Sequence, residues 1–298
     1  NSRRKRTEIE AEADYFGGFY AHMAGYDALG AAPDALRRIY DHFELTQVAS
    51  DYPSLADRQG LVHQARQGLA QLIPVFEAGV RLLLLGRYEE AARCFDFVAR
   101  TFPSREILNN AGVARALEAL DMFATGEVSF LYPLELDGRT RLAGGRKADR
   151  PGFAPGAFER RSRFLAQAAR SLEAACASDP TFATARLNLA CVADLRGAPD
   201  EALLHARRAM ALAQAAGESV SLANAQLIQG IARMHIEPAD PDAASKDFRA
   251  AVQGNPALAA VNLAVLRQGH APEQKRTSPG KTYSAAAAFT NAEIDLTV

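Results

Sequence analysis

The chain has 298 residues, 48% of them hydrophobic and 23% charged, ordinary values for globular proteins that exclude a wholly disordered or fibrous chain. At roughly 100 to 200 residues per domain, the length predicts about two domains. Thirty-four basic residues against thirty-five acidic ones leave a net charge of -1, which argues against nucleic acid or an anionic membrane as partner. The longest strongly apolar run, residues 80–85 (VRLLLL), carries an arginine and falls far short of the roughly 20 apolar residues a membrane span needs.

The sequence opens on Asn1 and the basic run of residues 3–6, with no apolar stretch behind it. No signal peptide is visible, and the expectation is that the protein starts upstream. Thr7 to Leu45 then reads as a helical block, followed by a turn around Tyr52 and Pro53 and by Ser54 as the cap of a helix leading into the rest of the chain. Alanine, leucine, arginine and glutamate dominate throughout, and alternating β-branched runs are nearly absent, so an all-α fold is predicted. Three cysteines, Cys94, Cys176 and Cys191, form no CxxC pair and are expected as buried apolar thiols.

In the helical block, Glu10 and Asp14 stand four apart, so a helix projects both carboxylates from one face. Such a pair is commonly only a solvated face. The stretch EIEAEADYFGGFYAHMAGYDALGAAPDALRRIYDHF, followed by YPSLADR, resembles the region downstream of the HExxH helix in zinc metallopeptidases of the CAAX prenyl protease and BepA type. The resemblance rests on Glu10, Ala13 and Asp14 in an E-x-x-A-D pattern, on Gly17, on the A-G-Y-D turn of Gly25, Tyr26 and Asp27, and on Pro53, Ser54 and Arg58. It covers roughly the first fifth of the chain. It implies Glu10 as a zinc ligand and Asp14 as the group that orients a ligand histidine. The chain contains no HExxH, its six histidines show no ligand spacing, and Tyr52 stands where the family commonly has histidine. Zinc would therefore be held only together with a missing HExxH segment, and this chain alone cannot be catalytic.

Residues 75–103 (VFEAGVRLLLLGRYEEAARCFDFVARTFP) resemble a tetratricopeptide (TPR) repeat, with Gly79, Gly86, Tyr88, Ala91, Phe95 and Pro103 at its small, aromatic and helix-ending positions. Small residues let two antiparallel helices approach, and Pro103 cannot continue the second one. Further copies carry Ala168, Leu172, Ala175 and Pro180, then Gly197, Ala202 and Ala209, then Gly230, Ala244, Phe248, Ala251 and Pro256. Ala168 and Ala202 are 34 residues apart, the period of this architecture. Leu258 to Arg267 would close the stack.

The predicted organisation is a metallopeptidase-like helical part over residues 1–60, a TPR-like superhelix over 61–269 and a mobile tail over 270–298. The second repeat is split: its first helix, Arg105 to Leu120, is parted from its partner by an insertion over 121–159 that contains FLYPLELDGRTRL. A partly ordered excursion is expected there, with a short extended piece at Phe130 to Leu136, either folded over the groove or merely tolerated.

First helices of stacked hairpins line a concave surface suited to peptides or protein segments. Asn109, Asn110, Arg115, Arg186, Asn188 and Asn262 fall on those helices and are the candidate groove residues. An amide side chain has both donor and acceptor atoms and can hold an extended backbone without reading its side chains; alternatively each amide simply bonds a neighbouring helix or water. Two functions follow. One is the C-terminal part of a zinc metalloendopeptidase whose repeats deliver protein substrates, for which the family resemblance implies the bacterial periplasm or envelope. The other is a non-catalytic TPR scaffold for protein–protein interaction.

Overall fold

Helix-ending residues and small residues fix where each element stops and how closely its neighbour approaches. The structure is a computed structural model that describes residues 2–45, 53–124, 126–136 and 156–269. These form twelve α-helices and, among the described residues, no strand, so the fold is all-α. In chain order they are α1 (Ser2–Met23), α2 (Ala28–His42), α3 (Leu55–Leu69), α4 (Leu72–Leu84), α5 (Tyr88–Ala99), α6 (Arg105–Leu120), α7 (Ala157–Ser178), α8 (Ala183–Leu195), α9 (Pro199–Ala216), α10 (Ser219–His235), α11 (Pro241–Ala250) and α12 (Pro256–Gly269). The tail from residue 270, with most of the 121–159 insertion, lies outside the described residues. The chain divides into two compact units, Asn1–Ala78 and Gly79–Val298, with the boundary inside α4.

In the first unit α1 and α2 both pack on α3. Its core gathers Phe19, Leu29, Tyr40, Val62 and Leu69, with the Phe19 and Phe76 rings edge to face at 5.8 Å. Gly18 lets Leu29 lie where a Cβ would otherwise stand. The start of α3 has a reciprocal cap: the Ser54 hydroxyl accepts the Asp57 N–H at 3.2 Å, and the Asp57 carboxylate accepts the Ser54 N–H at 3.1 Å, which satisfies donors that the first turn leaves open.

In the second unit successive helices pack against one another, and α6, α8, α10 and α12 also touch one another in order. The first helices of the hairpins thus make one continuous layer. Within each hairpin a small residue admits a large one: a Cβ at Gly79 would lie 3.0 Å from the Phe95 ring, one at Gly112 2.6 Å from Leu172, and one at Gly230 2.6 Å from Phe248. Phe95, Leu172 and Phe248 are fully buried. Gly86 and Gly197 turn the chain between paired helices at φ 70° and 78°, a left-handed conformation that glycine adopts without cost. Helices α6 and α7 close their hairpin although residues 121–156 separate them. Cys176 and Cys191 are buried as expected, whereas Cys94 is only half-buried; burial raises the pKa of all three thiols.

The Gly230 contact can be tested by substitution. Forcing a methyl against a fully packed ring costs about 1–3 kcal/mol, and the better helix propensity of alanine returns up to about 1. Gly230→Ala should therefore lower the denaturant-derived stability by about 1–2 kcal/mol, and the loss should shrink in a Phe248→Leu background. An undiminished loss there would remove the ring contact as its cause.

Candidate functional site: the asparagine-lined face

A peptide backbone laid on a protein surface brings an N–H and a C=O at every residue except proline, and each needs a partner once water is excluded. Residues 130–136 (FLYPLEL) form such a segment, here called the strap, and run without helix, turn or bridge. Pro133 explains the absence of helix: its ring removes a donor and clashes with a helical turn, and it drives Tyr132 before it towards extended backbone. Phe130, Tyr132 and Leu134 pack into the apolar core with a period of two, the side-chain repeat of extended chain. Tyr132 and Leu134 touch two core clusters of this unit, one centred on α10 and α11 and the other on α6 and α7.

The strap's backbone is held by asparagines of alternate helices. Asn262 on α12 accepts the Leu131 N–H at 2.8 Å and donates to the Leu131 carbonyl at 3.1 Å. Asn188 on α8 does the same for Glu135, at 2.8 Å to the N–H and 2.6 Å to the carbonyl. Asn109 on α6 adds a second donor to the Glu135 carbonyl at 3.2 Å and accepts from Asn188 at 2.8 Å. All three asparagines are fully buried. Each bidentate amide thereby satisfies both polar groups of one peptide residue.

Three strap side chains are met individually. Phe130 packs edge-on against His235 and tilted against Phe248, with ring centroids 5.8 Å apart in each case. The Tyr132 hydroxyl donates to the Asp194 carboxylate at 2.5 Å. The Glu135 carboxylate accepts from the Asn224 amide, which Asn255 orients by donating to its oxygen at 2.7 Å. Asp194 also meets His235 Nδ1 at 2.9 Å, and its side chain is wholly shielded from solvent. Burial, with the Asp194 carboxylate adjacent, pushes the Tyr132 phenol well above its ordinary pKa and keeps it a donor. Arg161 fastens the approach to the strap: its guanidinium lies 3.9 Å from the centre of the Phe123 ring and 2.7 Å from the Glu127 carboxylate.

The net hold is modest. Seven hydrogen bonds join the strap to this face, at about 1 kcal/mol net each. Buried Phe130 and Leu136 add about 2 kcal/mol apiece. Ordering seven residues costs about 1–2 kcal/mol each, so the two sides nearly cancel.

Other candidates read from sequence lie elsewhere. Asn110 is buried beside Asn109, whose amide reaches it at 3.4 Å. Arg115 braces α6 against its neighbours, donating to the Asp96 carboxylate and, at 3.1 Å, to the Ser171 hydroxyl. Arg186 is half-buried; its charge opposes the burial that raises the Cys176 pKa, and it adds to the burial that lowers that of His205. Asn224, Asp194, His235 and the strap's own Tyr132 and Glu135 were not among the candidates. Asn224 stands six residues before Gly230, whereas Asn110 stands two before Gly112 and Asn109 three, so the amide recurs out of register with the close-packing glycine.

In the first unit, Glu10 and Asp14 do share a helix face, and it faces a cation. Arg58, almost fully buried, lies 2.8 Å from Glu10 and 3.1 Å from Asp14. Burial raises the pKa of Asp14 against the opposing pull of Arg58. Asp27 of the A-G-Y-D turn caps α2 by accepting the Gly30 N–H at 2.9 Å, and the Pro53 carbonyl accepts the Tyr40 hydroxyl at 2.6 Å. Tyr52 lies outside the described residues. Among the described residues no group of three His, Cys, Asp or Glu side chains could hold a metal ion, and the guanidinium already answers the two carboxylates. The residues present do not by themselves fit zinc, which takes three or four protein ligands.

Asp194 raises the pKa of His235 through its hydrogen bond, against a smaller opposing effect of burial. The His235 titration midpoint followed by NMR should lie above the ordinary value of about 6.5 and fall back in Asp194→Asn. Because the folded-state value is the higher one, the stability contributed by this pair is complete below about pH 6.5 and is lost as pH rises through the folded value. His235→Gln should flatten that dependence. No protein-family model matches the chain, and no curated protein matches it.

Proposed function

We propose that the second unit is a binding module for extended peptide or protein segments, a scaffold of the tetratricopeptide kind that its sequence resembles. One observation carries this reading: Asn188 and Asn262 each pair with both the N–H and the C=O of one residue in a non-helical segment. Contacts of that type hold a backbone whatever its side chains, as a module serving varied protein segments requires. The continuous layer of α6, α8, α10 and α12 provides the surface.

The test uses the full chain with residues 130–136 replaced by glycine and serine at equal length, its helicity checked by circular dichroism, and a reduced, carboxymethylated unfolded protein as probe. Binding should be measurable, and Asn188→Ala with Asn262→Ala in that chain should weaken it at least tenfold. Unchanged affinity removes the groove from the reading.

A second reading is that the first unit is the C-terminal part of a zinc metalloendopeptidase, the repeats presenting substrates to it. The observation in its favour is that Glu10, Asp14 and Arg58, three positions of the family pattern, meet in space. In a longer protein that carries an HExxH segment, Glu10 would supply one ligand and Asp14 would steady a ligand histidine. There, Glu10→Gln should reduce the zinc content from about one ion per chain; full occupancy in that variant would discard the ligand assignment.

A further inference from the structure

The strap is not only a model of how a peptide could lie on this face. Its backbone is held without regard to sequence, but three of its side chains are individually received. Phe130 packs against the rings of Phe248 and His235, the Tyr132 hydroxyl reaches a fully shielded carboxylate, and the Glu135 carboxylate takes the oriented amide of Asn224. Asp194 is the most selective of these. Its Oδ1 is buried and makes no hydrogen bond, so this acid depends on Tyr132 and His235 for its donors. An occupant without a hydroxyl at that position would strip one of them away, and an unsatisfied buried charge is strongly disfavoured.

We infer that residues 130–136 are a tethered ligand of the groove, and that the partner bound in trans is an extended segment with the same pattern: an aromatic residue, a tyrosine two positions later and a carboxylate five positions after the aromatic. This inference rests on the peptide-binding reading and adds its sequence requirement and its regulation. The strap and the partner compete for the same asparagines, so the intact chain is self-occupied and binds only what displaces its own segment. A short tether gives an effective concentration on the order of 1 mM. A free peptide with an intrinsic dissociation constant near 10 µM would then bind the intact chain about 100-fold more weakly than a chain whose strap is disabled.

The probe is a fluorescent peptide of residues 128–136 (VSFLYPLEL), titrated into the intact full chain and into the full chain with residues 130–136 replaced by glycine and serine. The peptide should bind the replaced chain at least tenfold more tightly than the intact one. Peptides with phenylalanine at the Tyr132 position or glutamine at the Glu135 position should each bind at least fivefold more weakly. Equal affinity for both chains overturns the competition. A scrambled peptide binding as well as the strap sequence overturns the pattern, yet leaves the peptide-binding reading standing if the unfolded probe still binds; loss of both probes fells the two together. Dimerisation of the intact chain that rises with concentration, with no gain for the free peptide, assigns the strap to a second copy and also overturns the inference.

Should the replaced chain not fold, hydrogen exchange on the intact chain decides. The Leu131 and Glu135 amides should exchange through an opening that leaves α8 and α10 protected, and added peptide at millimolar concentration should speed neither helix. Exchange of those two amides only together with global unfolding would make the strap an inseparable part of the core, and the tethered-ligand inference would fail.

Discussion

The second unit depends on one kind of contact, the pairing of a carboxamide with a peptide unit. An asparagine side chain carries the same donor and acceptor as the backbone, and it can present them to a neighbouring strand of chain without forming a sheet. Fully buried asparagines on an all-α layer would otherwise be a liability, because a buried amide without partners costs about 1–3 kcal/mol. Here the liability and its remedy come together. Asn109, Asn188 and Asn262 are dry, and the segment that makes them dry also satisfies them. Remove either side and the other is left with unmade bonds.

The same reasoning explains a buried carboxylate between two apolar clusters. Asp194 receives the Tyr132 hydroxyl and faces His235, while the Tyr132 ring touches the clusters on either side. A charge in such a place is tolerable only with close donors. The strap therefore ties the first helices of the array together by apolar contact and by an interior acid. In the first unit the logic is repeated with the sign reversed. Arg58, nearly dry, stands between Glu10 and Asp14, so two acids four residues apart on one helix are balanced by a cation from another.

The helices and their pairing were legible because their causes are local. Ser54, Gly86, Gly197 and the prolines mark ends, and the alternation of small and large residues at Gly79 with Phe95, or Gly230 with Phe248, marks close approach. The helix Arg105–Leu120 has the bounds its sequence suggests. A short extended piece over residues 130–136 was also expected, and Pro133 supplies its physical reason. What was hidden is long-range: which chain segment the asparagines would meet depends on where residues 130–136 lie on the face, and no local pattern records that. Arg115 resembled a groove residue by helix position, yet its long side chain turns aside to Asp96 and Ser171. Asn224 escaped because its offset from Gly230 differs from that of Asn109 and Asn110 from Gly112.

Register completes the account of why this one segment fits. Side chains of extended chain alternate, so a slip of one residue would turn Phe130, Tyr132 and Leu134 out of the core and break the Tyr132–Asp194 contact. A slip of two residues would keep the inward face, but it would bring Pro133 opposite Asn262 or Asn188. Proline has no N–H to donate, so one arm of a bidentate amide would be left open in a dry site. The two asparagine pairs are four residues apart along the strap, with Pro133 midway between them. In either direction, then, the shortest slip that preserves burial is the one the proline forbids, and the sequence FLYPLEL is confined to a single alignment by one missing hydrogen.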